Sequence, residues 1–212
     1  MIEEIEKELK VQFPEVYRRL YHDGMLDWGI CSQEWAQTEL QKMRAHPPLL
    51  LFAEDFRIIP LREIADRARK QKCKPEGATV FVPFGRNLAG ELYGFAFNDA
   101  GVMQAIYKIN TRTEVSTFQA RTLEEFIFRK LLQTAAEYPL DEDESLEDFL
   151  TDAKAMLQSH ASYLPTSLAA LLRQAYAGTA KIDDGYVSLI SDEDYLSIFK
   201  SAEKDLDSPE LS

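Results

Sequence analysis

Residues Ala78 to Asn98 read ATVFVPFGRNLAGELYGFAFN, two apolar runs flanking a polar Gly-Arg-Asn turn. Short apolar runs rich in Val and Phe and bounded by turn residues are the signature of strands. The pattern predicts strands over Thr79–Phe84 and Leu92–Phe97, with Gly85 and Asn87 in the turn between them. Asn98, Asp99 and Gly101 mark the next turn, and Gln104–Ile109 and Val115–Phe118 extend the meander. Thr122 and, three residues on, Glu125 form a capping box that opens a helix, LEEFIFRKLL, running to about Tyr138. The expected class is α+β: a mainly antiparallel sheet of about four to six strands packed by helices, followed by a mostly helical, acidic C-terminal extension.

Upstream, Ile2, Ile5, Leu9 and Phe13 recur at helical spacing. Pro14 suits the start of a second helix, whose apolar face is Val16, Tyr17, Leu20 and Tyr21 and which Gly24 ends. A third helix is expected from about Gln33 to Ala45, stopped by Pro47 and Pro48. Leu49–Ala53 has the pattern of a buried strand, and Arg57–Pro60 that of a short extended piece. Glu63–Gln71 reads as a helix whose outer face is basic, with Arg62, Arg67, Arg69, Lys70 and Lys72. That cluster fits a phosphate or partner contact, but a solvated helix face is the plainer reading.

The charge is unevenly placed. The formal net charge is −12. Residues from Pro139 onward carry 16 acidic and 5 basic side chains, a balance of −11. Residues 1–138 carry 20 and 19, a balance of −1. The polar run Asp141–Ser145 separates the two compositions, so residues 1–138 are expected to form an α+β domain and 139–212 an acidic extension, packed on the first domain or separate. Within the extension, helices are expected over Leu146–Ser159 and Pro165–Tyr176, a strand over Tyr186–Ile190, and a last helix capped by Ser191 and running to about Phe199. An anionic surface repels phosphate backbones, which argues against a nucleic-acid ligand and in favour of a basic protein. Plain solubility is the competing reading of the same charge.

No catalytic set emerges. His22, His46 and His160 have neither HxxxH nor HExxH spacing and read as surface or helix-end residues. Cys31 and Cys73 lie in no CxxC pair and near no histidine, so neither a disulfide framework, a zinc site nor a reactive thiolate is expected. GxSxG and P-loop patterns are missing, and Gly85, Gly90 and Gly94 read as turn and bulge glycines. Neither cofactor nor metal is expected. The acidic start MIEEIEKELK is an amphipathic helix and not a secretory signal, and no apolar run reaches the ~18 residues of a membrane span. The cytoplasm is the default compartment.

The order of FPEVYRRLYHDG, LLLFAEDFRIIPLREI, the strand pair FVPFG and ELYGFAF, and the closing TLEEFIFRKLL resembles the SUKH superfamily, also called the Smi/Knr-like domain, over roughly residues 1–138. Glu91 departs from the pattern, where relatives commonly have Asp, and Trp28 and Trp35 fit it loosely. The resemblance implies an α+β fold with a mainly antiparallel sheet and no catalytic residues. It implies a protein-binding role: in bacteria an immunity protein that occludes the active site of a cognate toxin, often a nuclease. The alternative is an intracellular regulatory domain without a toxin partner. For a basic partner, the candidate contacts are Asp141, Glu142, Asp143, Glu144, Asp183, Asp184, Asp192, Glu193 and Asp194, with Trp28 and Trp35 as aromatic anchors.

Overall fold

The computed structural model describes residues 1–29, 33–140 and 144–206. Their contacts divide the chain into two compact units, each assembled from separate stretches of sequence. One holds Met1–Gln41 and Asp55–Phe126, the other Lys42–Glu54 and Ile127–Ser212.

The first unit is built on a five-stranded antiparallel meander, β1 (Arg57–Ile58), β2 (Val80–Arg86), β3 (Leu92–Phe97), β4 (Met103–Asn110) and β5 (Val115–Ala120), in sequence order. All six residues of β3 are buried. On one face Tyr93, Phe95 and Phe97 alternate with the period of a strand. Phe84 stacks on Phe95 with ring centroids 4.5 Å apart. Phe13 and Tyr17 close over Phe95, Tyr17 edge-on at 5.1 Å. Tyr17 belongs to α2 (Glu15–His22), which follows α1 (Ile2–Leu9). Phe56 and Phe126 complete the aromatic cluster against Phe84 and Tyr93. The Tyr17 hydroxyl is buried there with no hydrogen-bond partner among the described residues.

Two glycines within the strands are required by close approach. A Cβ at Gly94 would run into the Phe81 ring and, at 2.7 Å, the Val82 carbonyl oxygen. A Cβ at Gly85 would strike the Phe56 ring. Gly85 also sits at a register shift between β2 and β3, so it is part of a bulged strand and not of the turn beyond it. Outside this sheet, α4 (Leu61–Lys70) packs on β2 and α1. Most of α3 (Gln33–Met43) belongs to the same unit.

The helix expected after Thr122 is α5 (Leu123–Ala136). Its capping box is present: Thr122 Oγ accepts the Glu125 N–H at 3.2 Å, and the Glu125 carboxylate accepts the Arg121 N–H at 2.7 Å. Residues from Ile127 onward count with the second unit. That unit adds β6 (Tyr138–Pro139), α6 (Leu146–His160), a 3-10 turn (Ala161–Tyr163), α7 (Thr166–Tyr176), β7 (Lys181–Asp183), β8 (Tyr186–Ser188) and α8 (Asp192–Leu206). Its strands form an antiparallel sheet in the order β6-β8-β7. The core consists of Leu49, Leu50, Phe128, Leu131, Phe149, Met156, Leu168, Leu172 and Val187, all buried.

Leu49–Ala53 is not a strand. It is a buried turn in which Leu50 takes φ 54, a left-handed conformation that a strand cannot contain. The turn is held from α6: His160 Nε2 accepts the Leu50 N–H at 2.9 Å, and Ser159 Oγ donates to the Pro47 carbonyl at 3.0 Å. His160 ends α6, as a helix-end histidine is expected to, but it is buried in the core and not at the surface; His22 and His46 are exposed. Arg44 pairs with the buried Asp152 carboxylate at 3.0 Å. The strand at Tyr186 is shorter than expected, and its partners β6 and β7 were missing from the expectation.

Candidate partner-binding surface

The hairpin β7–β8 is made by two residues, Asp184 at φ 45 and Gly185 at φ 81. Positive φ at both positions matches the primed turn that suits the twist of a hairpin, and Asp-Gly is among its preferred pairs. That dipeptide is the signal from which β7 could have been found. Opposed residues share a sheet face. Val187 opposes Ile182 and is fully buried, so Asp183 and its partner Tyr186 lie on the other face, toward solvent. Tyr186 is 45% exposed and Ile182, on the edge strand, 55%. Leu140 N–H donates to the Gly185 carbonyl at 2.9 Å, which fixes Leu140 beside this turn.

Asp141, Glu142 and Asp143 lie outside the described residues. Glu144 is half-buried, and its carboxylate accepts the Tyr138 hydroxyl at 3.4 Å. Asp192, Glu193 and Asp194 occupy the first turn of α8 and are exposed. Carboxylates are stabilised there by the unbonded N–H groups and dipole of the helix start. Ser191 Oγ accepts the Asp194 N–H at 3.1 Å and donates to its carboxylate at 2.7 Å, which commits Asp194 to capping. Leu196 on the same helix is 53% exposed. The second unit thus places Asp183, Asp184 and Tyr186 together on one hairpin, with Asp192 and Glu193 four and five residues beyond Ser188 in the chain order β8, loop, α8.

The two tryptophans are placed differently. Trp28 is buried, edge-on to Phe56 at 6.1 Å, and serves the aromatic core of the first unit. Trp35 is half-buried, its indole against the Gly29 backbone, where a Cβ would meet Nε1 at 3.2 Å.

Much of the basic face of α4 is neutralised. Arg67 pairs with Glu63 at 2.7 Å, Lys70 with Asp66 at 2.6 Å, and Arg69 with Glu8 and Asp66. Glu91 is engaged in a polar network: its carboxylate meets Lys108 at 2.8 Å, Asn87 at 2.9 Å and Asn110 at 3.0 Å. The hydrogen bond from Lys108 is the main cause holding that carboxyl below its usual range. Burial raises the Cys73 thiol above its usual range, so the thiolate is disfavoured. Among the described residues no three His, Cys, Asp or Glu side chains gather as a metal site, and no helix is long and apolar enough to cross a membrane.

No curated protein and no solved structure matches the chain. The family model of SMI1/KNR4 (SUKH-1) matches residues 1–129, which contain the whole five-stranded meander and the start of α5. With that match covering more than half of its length, the chain belongs to the SMI1/KNR4 family (SUKH-1).

Proposed function

We propose that this chain is a non-catalytic protein-binding domain of the immunity type, which blocks a cognate bacterial toxin by covering its active site. The single observation that carries the partner's chemistry is the acidic hairpin, where Asp183 and Asp184 flank an exposed Tyr186. A tyrosine with one apolar body and one polar tip is a frequent interface anchor, and neighbouring carboxylates attract a basic partner over a Debye length of about 8 Å. Nuclease active sites present positive potential to bind phosphate, so an anionic cover is complementary to them. Family membership supports the protein-binding role.

The test is a search for a toxin domain encoded beside this chain, followed by a growth-rescue experiment with it. Co-expression should restore growth of cells producing that domain, and the purified pair should form a complex. Replacing Tyr186 by Ala together with Asp183→Lys and Asp184→Lys should abolish rescue while the melting temperature stays within a few degrees of wild type. Rescue by the triple variant, or failure of the unaltered chain to bind, overturns the reading.

A further inference from the structure

The first unit contains a cleft of about 770 Å³, between the loop that carries Trp28, the strand β1 and the start of α4. Four arginines line it: Arg57 from β1, Arg86 from β2, and Arg62 and Arg67 from α4. Only two carboxylates stand against them, and both are engaged. Glu63 is held by Arg67 through contacts of 2.7 and 3.0 Å, and Asp27 accepts the Gly29 N–H at 2.8 Å. Arg57, Arg62 and Arg86 form no ion pair among the described residues.

Arg57 and Arg86 are direct cross-strand partners. Opposed residues on antiparallel strands have their Cβ atoms about 4.5–5.5 Å apart, and like charges in that position destabilise the sheet. Two guanidinium groups so placed form a fork for one multiply charged anion, since each offers parallel N–H donors. Helix α4 begins at the same cleft behind Pro60, with no side chain capping it, so its first N–H groups add positive potential at the wall. Residues from three elements thus supply the anion-binding features. The sequence cluster on α4 contained only two of these arginines.

We propose that this cleft binds a small phosphate-bearing molecule of nucleotide size. The volume falls inside the roughly 300–1,000 Å³ of small-molecule sites. Three unpaired guanidiniums suit a phosphate dianion better than a single carboxylate. A polynucleotide is disfavoured by the net charge of −12, which repels an extended phosphate backbone. This inference is independent of the acidic hairpin and of any toxin partner, because the residues it uses belong to the other compact unit.

The probes are inorganic pyrophosphate, ATP and, as an acidic-protein mimic, a poly-glutamate peptide, each titrated calorimetrically into the full chain at low salt. Pyrophosphate or ATP should bind with one-to-one stoichiometry. Arg57→Gln with Arg86→Gln should weaken that binding tenfold or more, while Lys70→Gln, on the part of α4 already paired with Asp66, should leave it unchanged. Without ligand, the Arg57→Gln variant should melt at or above the wild-type temperature, because it relieves the repulsion with Arg86. Melting well below wild type would assign Arg57 to packing and overturn the proposal. So would saturation by poly-glutamate with no response to either phosphate probe, which would make the cleft a docking site for an acidic protein. Equal affinity of wild type and the double variant for ATP overturns it as well.

Discussion

The ring of His160 and the main chain of Leu50, 110 residues apart in sequence, are joined by a buried hydrogen bond of 2.9 Å from the Leu50 N–H to Nε2. The other ring nitrogen donates to the Met156 carbonyl at 2.7 Å, so the imidazole is neutral with its proton on Nδ1. Burial lowers its pKa from the ordinary 6.5 to about 4.

That shift makes stability pH-dependent in a stated direction. The unfolded chain takes up the proton first, near pH 6.5, and the native chain only near pH 4. The stabilisation is therefore complete above about pH 6.5 and is lost progressively as pH falls toward 4, by about 3 kcal/mol in all. Urea denaturation at pH 7.5 and 4.5 should show this loss in wild type. In His160→Gln the difference between the two pH values should shrink by a similar amount. An equal pH dependence in both proteins would refute the assignment.

The buried pair Arg44–Asp152 has an imbalance of its own. One Asp152 oxygen meets Arg44, the other has no hydrogen-bond partner among the described residues, and burial raises its carboxyl above the usual range despite the arginine. A raised carboxyl pKa means that the native state binds the proton more tightly than the unfolded one, so this group opposes folding as pH rises through the carboxylate range. Asp152→Asn should be within about 1 kcal/mol of neutral, whereas Arg44→Met, which strands the carboxylate, should cost about 1–3 kcal/mol. Chemical denaturation at pH 7 distinguishes the two. A costly Asn and a harmless Met would reverse the account.

Tyr17 offers a stabilising change. Its hydroxyl is fully buried and unbonded, and desolvation alone raises its pKa. Tyr17→Phe keeps the ring contacts with Phe13 and Phe95 and removes the orphaned group, a gain of about 1 kcal/mol. A lower melting temperature for the variant would show that the hydroxyl has a partner. The opposite change at Gly94 should be harmful: Gly94→Ala drives a methyl into Phe81 and should cost about 1–3 kcal/mol by overpacking.

The acidic surface should act on rate. Single Asp→Asn changes at Asp183, Asp184 or Asp192 should be nearly silent, at about 0–1 kcal/mol each for exposed charges. Reversing four or five together should slow association with the captured partner about tenfold or more. High salt should slow association far more than it speeds dissociation. An association rate indifferent to salt and to charge reversal would leave the carboxylates a role in solubility only.

The proposed division into residues 1–138 and 139–212 can be tested by cutting after Tyr138. The segment Lys42–Glu54 would lose its α6 partners Ser159, His160 and Asp152 in the process. Under the proposal the fragment keeps a cooperative transition at a lower melting temperature, with fast amide exchange at Leu50. Absence of a cooperative transition would show that the chain has no separable first domain.

The meander was legible because alternating aromatic residues between turn glycines leave few alternatives, and the capping box at Thr122 and Glu125 is a local signal. The Leu49–Ala53 turn was not legible. Its apolar composition matches a strand, and the feature that decides otherwise, the bond from Leu50 to His160, comes from a residue far along the chain. Strand β7 was missed although Asp184-Gly185 announces its turn, because Lys-Ile-Asp is too short and polar to register as a strand. In the acidic surface, the charges were plain from composition. The role of Tyr186 was not, since its exposure depends on which face of the hairpin Val187 buries. Likewise the facing of Arg57 and Arg86 is a property of strand register alone.

The discontinuity of the second unit has a consequence for biosynthesis. Leu49 and Leu50 leave the ribosome well before α6, which supplies the ring that holds their turn. At translation speeds of about 5–20 residues per second, these apolar side chains wait on the order of 5–20 seconds for His160. During that interval the nascent chain carries an unsatisfied apolar loop while the sheet around β3 can already close. Rapid codons between Glu54 and His160, or a holdase on the emerging chain, would then govern yield in the cell more than the final stability does.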